Sequence, residues 1–337
     1  MKRTIIAAAL LAALALPAAA QTARRTAAAP APAAQSAVAS ALAALPASDA
    51  VAAVDVQRLY REALPRIYAN DPAKLAAVNA DIDQFKTRTG LDPRSFEHAA
   101  VGVQFVETPA GAVKLAAVAL ARGQFNAAAL VAAGRIAARG KYEEQQYKGK
   151  TVYVFSLDRQ VHFLNLRWTE LAVVVLDSHT LAFGQLERVR AAVDAAGGGR
   201  RVSGEVTALA LRDPNAIIGV GGNVPASLTA KLDFLNPEVS RAIASVRQFY
   251  GSLGADANGF QLATTLRTGG AADAKTLLDT IEGLRQLAPF ALSRLQGDKA
   301  KLAQQLVDNT RVTTEGGDVL IRLTLADANV ATLVRVF

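Results

Sequence analysis

Asp177 and His179 stand two residues apart at the end of an apolar run, VVVLDSHTLAFG (Val173–Gly184), and Gly184 opens the helix-like stretch QLERVRAAV. These residue types suggest two chemistries. One is a histidine acting as a general base with carboxylate support. The other is a glycine turn at a helix N-terminus that holds phosphate, helped by Arg188 and Arg190 and by Arg200 and Arg201 beyond the loop Gly197–Gly199. A phosphate cradle, however, needs several glycines or the Lys and Ser/Thr of a P-loop, and this turn has one glycine and neither partner. A general base needs a nucleophile or water and an orienting group, and Asp177 in the same turn is poorly placed for both roles. The stretch therefore reads as scaffold, a hairpin with His179 exposed at its tip and a helix-entry glycine of the kind that recurs at Gly123 and Gly269.

The other candidates fail on spacing. His98, at a strand entrance, and His162, alternating with apolar residues, lie far from His179 and from each other, and no HExxH occurs. Gly251, Ser252, Leu253 and Gly254 lack the G-x-S-x-G spacing of a nucleophile elbow and lead into another strand. Gly219, Gly221 and Gly222 follow a strand, but Asn223, Val224 and Pro225 stand where a dinucleotide fingerprint needs its third glycine. Asp256, Asn258 and Gly259 begin like a calcium loop without its remaining ligands, and read as a turn. Trp168 reads as a packing residue, and Glu143, Glu144 and Glu170 show no arrangement that sequence brings together. The chain has no cysteine, which removes disulfides, thiolate metal sites and a thiol nucleophile. No catalytic, cofactor-binding or metal-ligating residue is assigned, and no cofactor is expected.

The elements that would position such groups begin after two terminal segments. MKRTIIAAALLAALALPAAA has a basic start, an apolar run from Ile5 to Leu16 and small residues before Gln21. That order predicts a secretory signal at residues 1–20, cleaved near Ala20, and the apolar run is short of the ~20 residues that span a bilayer. The expected location is periplasmic or secreted, with no stable membrane span after processing. Residues 21–48 are dominated by Ala, Pro, Ser and Gln and read as a disordered tether. The alternative is a short Ala-rich helix docking through Leu42 and Leu45.

The net charge of +8 includes Lys2, Arg3, Arg24 and Arg25, and the remaining 33 basic against 29 acidic residues give only +4. Without basic runs interleaved with aromatics, no nucleic-acid partner is expected. With 51% hydrophobic residues, a chain of 337 can fill one large or two ordinary cores.

From Asp49 a unit recurs in which two alternating runs joined by turn residues lead into an amphipathic helix. The pairs are Ala99–Val106 with Ala112–Ala121, Leu171–Leu176 with Thr180–Phe183, Val246–Leu253 with Phe260–Arg267, and Thr310–Thr314 with Val319–Leu325. A further hairpin joins Tyr142–Tyr147 to Thr151–Phe155, and Asp327 is expected to cap a terminal helix. AVAAVDV (Ala50–Val56) and AIIGVGG (Ala216–Gly222) each open onto two helices, the second starting with Pro72 or Pro237. Hairpin-plus-helix units imply an α+β fold of two related halves, 49–197 and 203–337, each an antiparallel sheet with helices packed on one face. The region Pro289–Asn309 reads as an extra helix in the second half.

LPASDAVAAVDV (Leu45–Val56), RGQFN (Arg122–Asn126), YKGKTVY (Tyr147–Tyr153) and DSHTLAFG (Asp177–Gly184) resemble recurring segments of uncharacterised exported bacterial proteins of unknown function. The resemblance covers mainly residues 45–196 and implies a secreted α+β scaffold, without a reaction. The function expected is that of an exported, soluble, non-catalytic scaffold or binding protein for an envelope component or protein partner. A periplasmic hydrolase whose site meets only in the fold, or a carrier of an apolar ligand, are the alternatives.

Overall fold

The computed structural model describes residues 32–330 apart from 90–91, 110, 112, 127–130, 133–134, 136–141, 157–169, 230–236, 293–296 and 328. The secretory segment, residues 21–31, His162 and Trp168 lie outside the described residues. The chain opens with α1 (Pro32–Ala43), β1 (Ala50–Asp55) and a helical rod, α2, made of Val56–Arg58, a π turn at Leu59–Ala63 and Leu64–Ile67. Then come α3 (Pro72–Thr89), β2 (Phe96–Glu107), β3 (Val113–Gly123), β4 (Tyr142–Tyr147), β5 (Lys150–Ser156), β6 (Glu170–Asp177), β7 (Thr180–Gly184), α4 (Leu186–Ala196) and α5 (Gly204–Ala210). The second half contributes β8 (Ile218–Asn223), α6 (Ala226–Thr229), α7 (Pro237–Ala244), β9 (Val246–Asp256), β10 (Gly259–Thr268), α8 (Ala271–Leu292), α9 (Asp298–Asp308), β11 (Thr310–Glu315) and β12 (Asp318–Leu325).

All twelve strands join in one antiparallel sheet of order β11-β12-β10-β9-β8-β1-β2-β3-β7-β6-β5-β4. The fold is α+β. Counting outward from the β1–β8 pair, the first half runs β1, β2, β3, β7, β6 and the second runs β8, β9, β10, β12, β11, which is the same order. The hairpin β4–β5 is an addition at the outer edge of the first half.

Strand alternation decides where the cores sit. Val51 and Ala53 share a face with Ala100, Val118, Leu120, Val174 and Val152 through the strand registers. These residues pack beneath Leu42 and Leu45 around α1, Val189, Ala192 and Val193 of α4, and Val206 and Ala210 of α5. Followed across β8 to β10, the same face carries Gly219, Gly221, Tyr250, Thr265 and Arg267, and is polar. In the second half the apolar residues Leu266, Val319 and Ile321 point to the opposite face, where Leu277 and Ile281 of α8 cover them. A third cluster on that face joins Phe260, Leu323 and Leu325 to Leu302 and Leu306 of α9 and to Ala63 of α2. Each half thus clothes chiefly one face, and the two halves use opposite faces.

Two expectations are corrected. Residues 32–43 form a helix rather than a tether, which is the alternative the sequence offers, with Leu42 and Leu45 fully buried against the sheet core. Asp327 does not stand at the cap position of the last helix, since it lies in its first turn after Ala326, whose carbonyl accepts from Asn329 and Val330, and its side chain accepts from Arg66 at 3.1 and 3.0 Å. The extra helix is also split differently from the sequence pattern. Pro289 lies inside α8, and α9 starts afresh at Asp298 after Gly297, whose φ is 64°.

Gly184 ends β7 with φ 153°, and a Cβ there would stand 2.9 Å from Val118 Cα on the neighbouring strand. Both the backbone and the space require glycine. Gly184→Val is expected to lower unfolding free energy by about 2 kcal/mol or more in urea denaturation, whereas exposed His179→Ala changes it by at most about 0.5 kcal/mol.

Candidate functional site

At the end of the β1–β8 pair, α1 and α5 diverge over the sheet and leave a cleft of about 430 Å³. Its floor is made of small residues, Ala53, Gly219, Ala210 and Ala216, and its walls of Val38, Ala39, Leu211, Pro214 and Ile217. Gly219 and Gly221 are what let α5 lie this close, because a Cβ on Gly221 would meet Leu209 Cβ at 2.5 Å and Ala210 N at 2.7 Å. The glycines that resemble part of a dinucleotide fingerprint therefore serve helix–sheet packing.

The polar rim consists of Ser36, Asp55, Arg58 and Asp213. Asp55 Oδ1 accepts from Arg58 N at 2.9 Å and starts the helical rod. Arg58 donates from Nε to Glu62 at 2.9 Å and from Nη1 to the Asn215 carbonyl at 2.7 Å. Asp213 accepts from Asn215 N at 2.9 Å and from Ser252 Oγ at 2.7 Å. The rim thus carries charges that already have protein partners, and the interior is apolar. Sequence reasoning missed this site because alanine and glycine carry no chemical signature.

Among the described residues Arg188 is the most deeply buried cation, 6% exposed on α4. It donates from Nη2 to Ala47 O at 2.9 Å and Ser48 Oγ at 2.7 Å, and from Nη1 to Gln104 Oε1 at 3.2 Å. Burial pushes its pKa down, partly countered by the Asp49 charge. Its work is to fasten the turn after α1 to α4 and β2. Arg190 instead donates to Gln145 at 2.6 Å, and Arg201 to the Ala195 carbonyl at 3.0 Å, so these arginines do not converge on Gly184.

The remaining candidates resolve individually. His179 is exposed, its N–H bound by Asp177 Oδ1 at 2.8 Å and its Nδ1 2.7 Å from Ser178 Oγ, which makes a closed hairpin tip. His98 is 7% exposed on β2, cross-strand from Asp55, with Nδ1 unpartnered among the described residues. Ser252 sits mid-strand with its hydroxyl given to Asp213, and neither residue is hydrogen-bonded to a histidine among the described residues. Asp256 Oδ1 accepts from Asn258 N at 2.7 Å, which closes a turn. Glu144 pairs with Arg135, and Glu143 with Gln145 at 3.4 Å. Among the described residues no group of three metal-ligating side chains is found, and no helix is long and apolar enough to cross a membrane.

A second polar constellation lies on the bare face of the second half. Arg267 grips Asp318 through Nε and Nη2 at 2.9 and 3.0 Å, Tyr250 donates its hydroxyl to Asp318 at 3.1 Å, and Arg212 stacks 4.3 Å from the Tyr250 ring centre.

No family model matches the chain, and no curated protein matches it. Solved structures of TP0453 are similar in fold. Crystal forms III, I and IV show 14%, 12% and 15% identity, cover 88%, 87% and 89% of this chain and 98%, 96% and 98% of theirs, and each has a TM-score of 0.46.

The Arg267 hydrogen bonds hold the Asp318 carboxyl below its usual range against the opposing effect of burial. A carboxylate with a depressed folded pKa is worth most above its unfolded value near ~3.9, and that contribution disappears as pH falls through the folded value. Stability should therefore fall below about pH 4, and Asp318→Asn should flatten that fall. Urea unfolding of both proteins between about pH 6 and 2.5 measures it, and parallel curves would contradict the assignment.

Proposed function

We propose that the protein is an exported, non-catalytic binding protein whose ligand is apolar and occupies the cleft between α1 and α5. The supporting observation is the cleft itself. At about 430 Å³ it falls within the roughly 300–1,000 Å³ of small-molecule sites, and its walls are Val38, Leu211, Pro214 and Ile217 over a floor of alanine and glycine. An apolar guest would gain about 25 cal/mol for each Å² removed from water. Asp55, Arg58 and Asp213 stand at the rim, each already held by protein hydrogen bonds, so the burial that a guest gains comes from the apolar walls. The export reading rests on the order of residues in Met1–Ala20, and a chain without cysteine offers no thiol for a lipid anchor. Ser252 gives its hydroxyl to Asp213, and among the described residues no histidine is hydrogen-bonded to either to complete a hydrolase triad.

A fluorescent medium-chain fatty acid should bind saturably at one site per chain. Ala39→Phe, which fills the cleft from α1 without touching the rim, should weaken binding by about tenfold or more while circular dichroism stays unchanged. Unaltered affinity in this variant would place the ligand elsewhere.

A further inference from the structure

Among the described residues the sheet ends in two strands with a single neighbour each, β4 and β11. An edge strand offers unpaired N–H and C=O groups to another chain unless its sequence discourages pairing. β4 reads YEEQQY, and its adjacent Glu143 and Glu144 are such a discouragement. β11 reads TRVTTE, with no proline, and Arg311, Thr313, Thr314 and Glu315 are exposed.

Both charges of β11 are badly placed inside their own hairpin. Arg311 lies directly opposite Arg322 of β12, and Glu315 directly opposite Asp318. Like charges in cross-strand positions are destabilising. Asp318 is committed to Arg267, and Arg311 and Arg322 form no ion pair among the described residues. Arg311, Thr313 and Glu315 share the face of Arg267 and Asp318, opposite to the face that α8 covers.

We propose that β11 is a dimerisation edge on which a second copy of this chain pairs antiparallel about a two-fold axis at Thr313. In that register Arg311 of each copy stands opposite Glu315 of the other, and Val312 opposite Thr314. Registers centred one residue to either side put Arg311 opposite Thr313 or the Gly317 turn, so only the Thr313 register satisfies both charges. The contact is isologous and closes at two copies. Strand addition supplies main-chain hydrogen bonds, and the charges fix the register.

Sedimentation equilibrium of the full chain over a roughly hundredfold concentration range tests this, with the parent expected to reach a dimer and nothing larger. Arg311→Glu and Glu315→Arg should each weaken the dimer by about tenfold or more, and the double reversal Arg311→Glu with Glu315→Arg should restore it. Each single reversal also relieves a like-charge pair within the hairpin, so neither monomer should melt below the parent, and loss of pairing is thereby separated from misfolding. A parent that stays monomeric, single reversals without effect, a double reversal that fails to restore, or open-ended polymers from β11 meeting β4 would each overturn the proposal.

Discussion

The contact on which the rest depends is the pairing of β1 with β8, Ala50–Val54 against Gly222–Ile218. Among the described residues it is the one place where strands of the two halves meet in the sheet. Small residues make it possible. A Cβ on Gly222 would meet Ala50 Cβ at 2.5 Å on one face, while on the other face Gly221 admits the backbone of α5. Larger residues there would push α5 off the sheet, and Ala53 and Gly219 of the same strand pair line the cleft. The seam that joins the halves is thus also the floor of the cleft.

The seam is reinforced by chain that crosses it. The rod α2 leaves β1 in the first half, yet its Ala63, Leu59 and Ile67 join the core built on Phe260, Leu323 and Leu325. Arg66 continues the crossing by binding Asp327 and the Asp256 carbonyl and by lying 5.2 Å from the Phe260 ring centre. On the other face, Leu45 and Ala47 bond to Val202 and Arg200 through their backbones, and Arg188 ties Ala47 and Ser48 to α4. Two clamps on opposite faces hold one continuous sheet.

How much of this is legible in the sequence follows from which residues carry local signals. The Asn258–Gly259 and Gly316–Gly317 turns are found where turn chemistry requires them, as are the helix entries after Gly184 and at Pro72 and Pro237. α1 is legible only as the alternative to a tether, a short Ala-rich helix docking through Leu42 and Leu45, because its composition is that of a linker and few large apolar residues carry its docking. Pro289 misleads in the other direction, since a helix broken by composition continues through it. The cleft escaped because it is defined by what alanine and glycine leave empty. The junction of the halves at β1 and β8 depends on contacts across some 170 positions of sequence, and no periodicity reports a partner that distant.

The bare polar face of the second half follows from the same topology. In the first half the hairpin β6–β7 exits at Gly184 into α4, which folds back over the face holding Val174 and Ala182 and makes that face core. In the second half the equivalent hairpin β11–β12 exits at Ala326, where Asp327 is drawn to Arg66 and Val330 packs with Phe260 and Leu323 on the opposite face. Among the described residues no helix after β12 returns over Tyr250, Thr265 and Arg267, and the polar groups there satisfy one another through the Arg267–Asp318–Tyr250 bonds. The inversion of polarity between the halves is therefore set by the direction the chain takes after one hairpin, and the strand sequences match the face each half was left with.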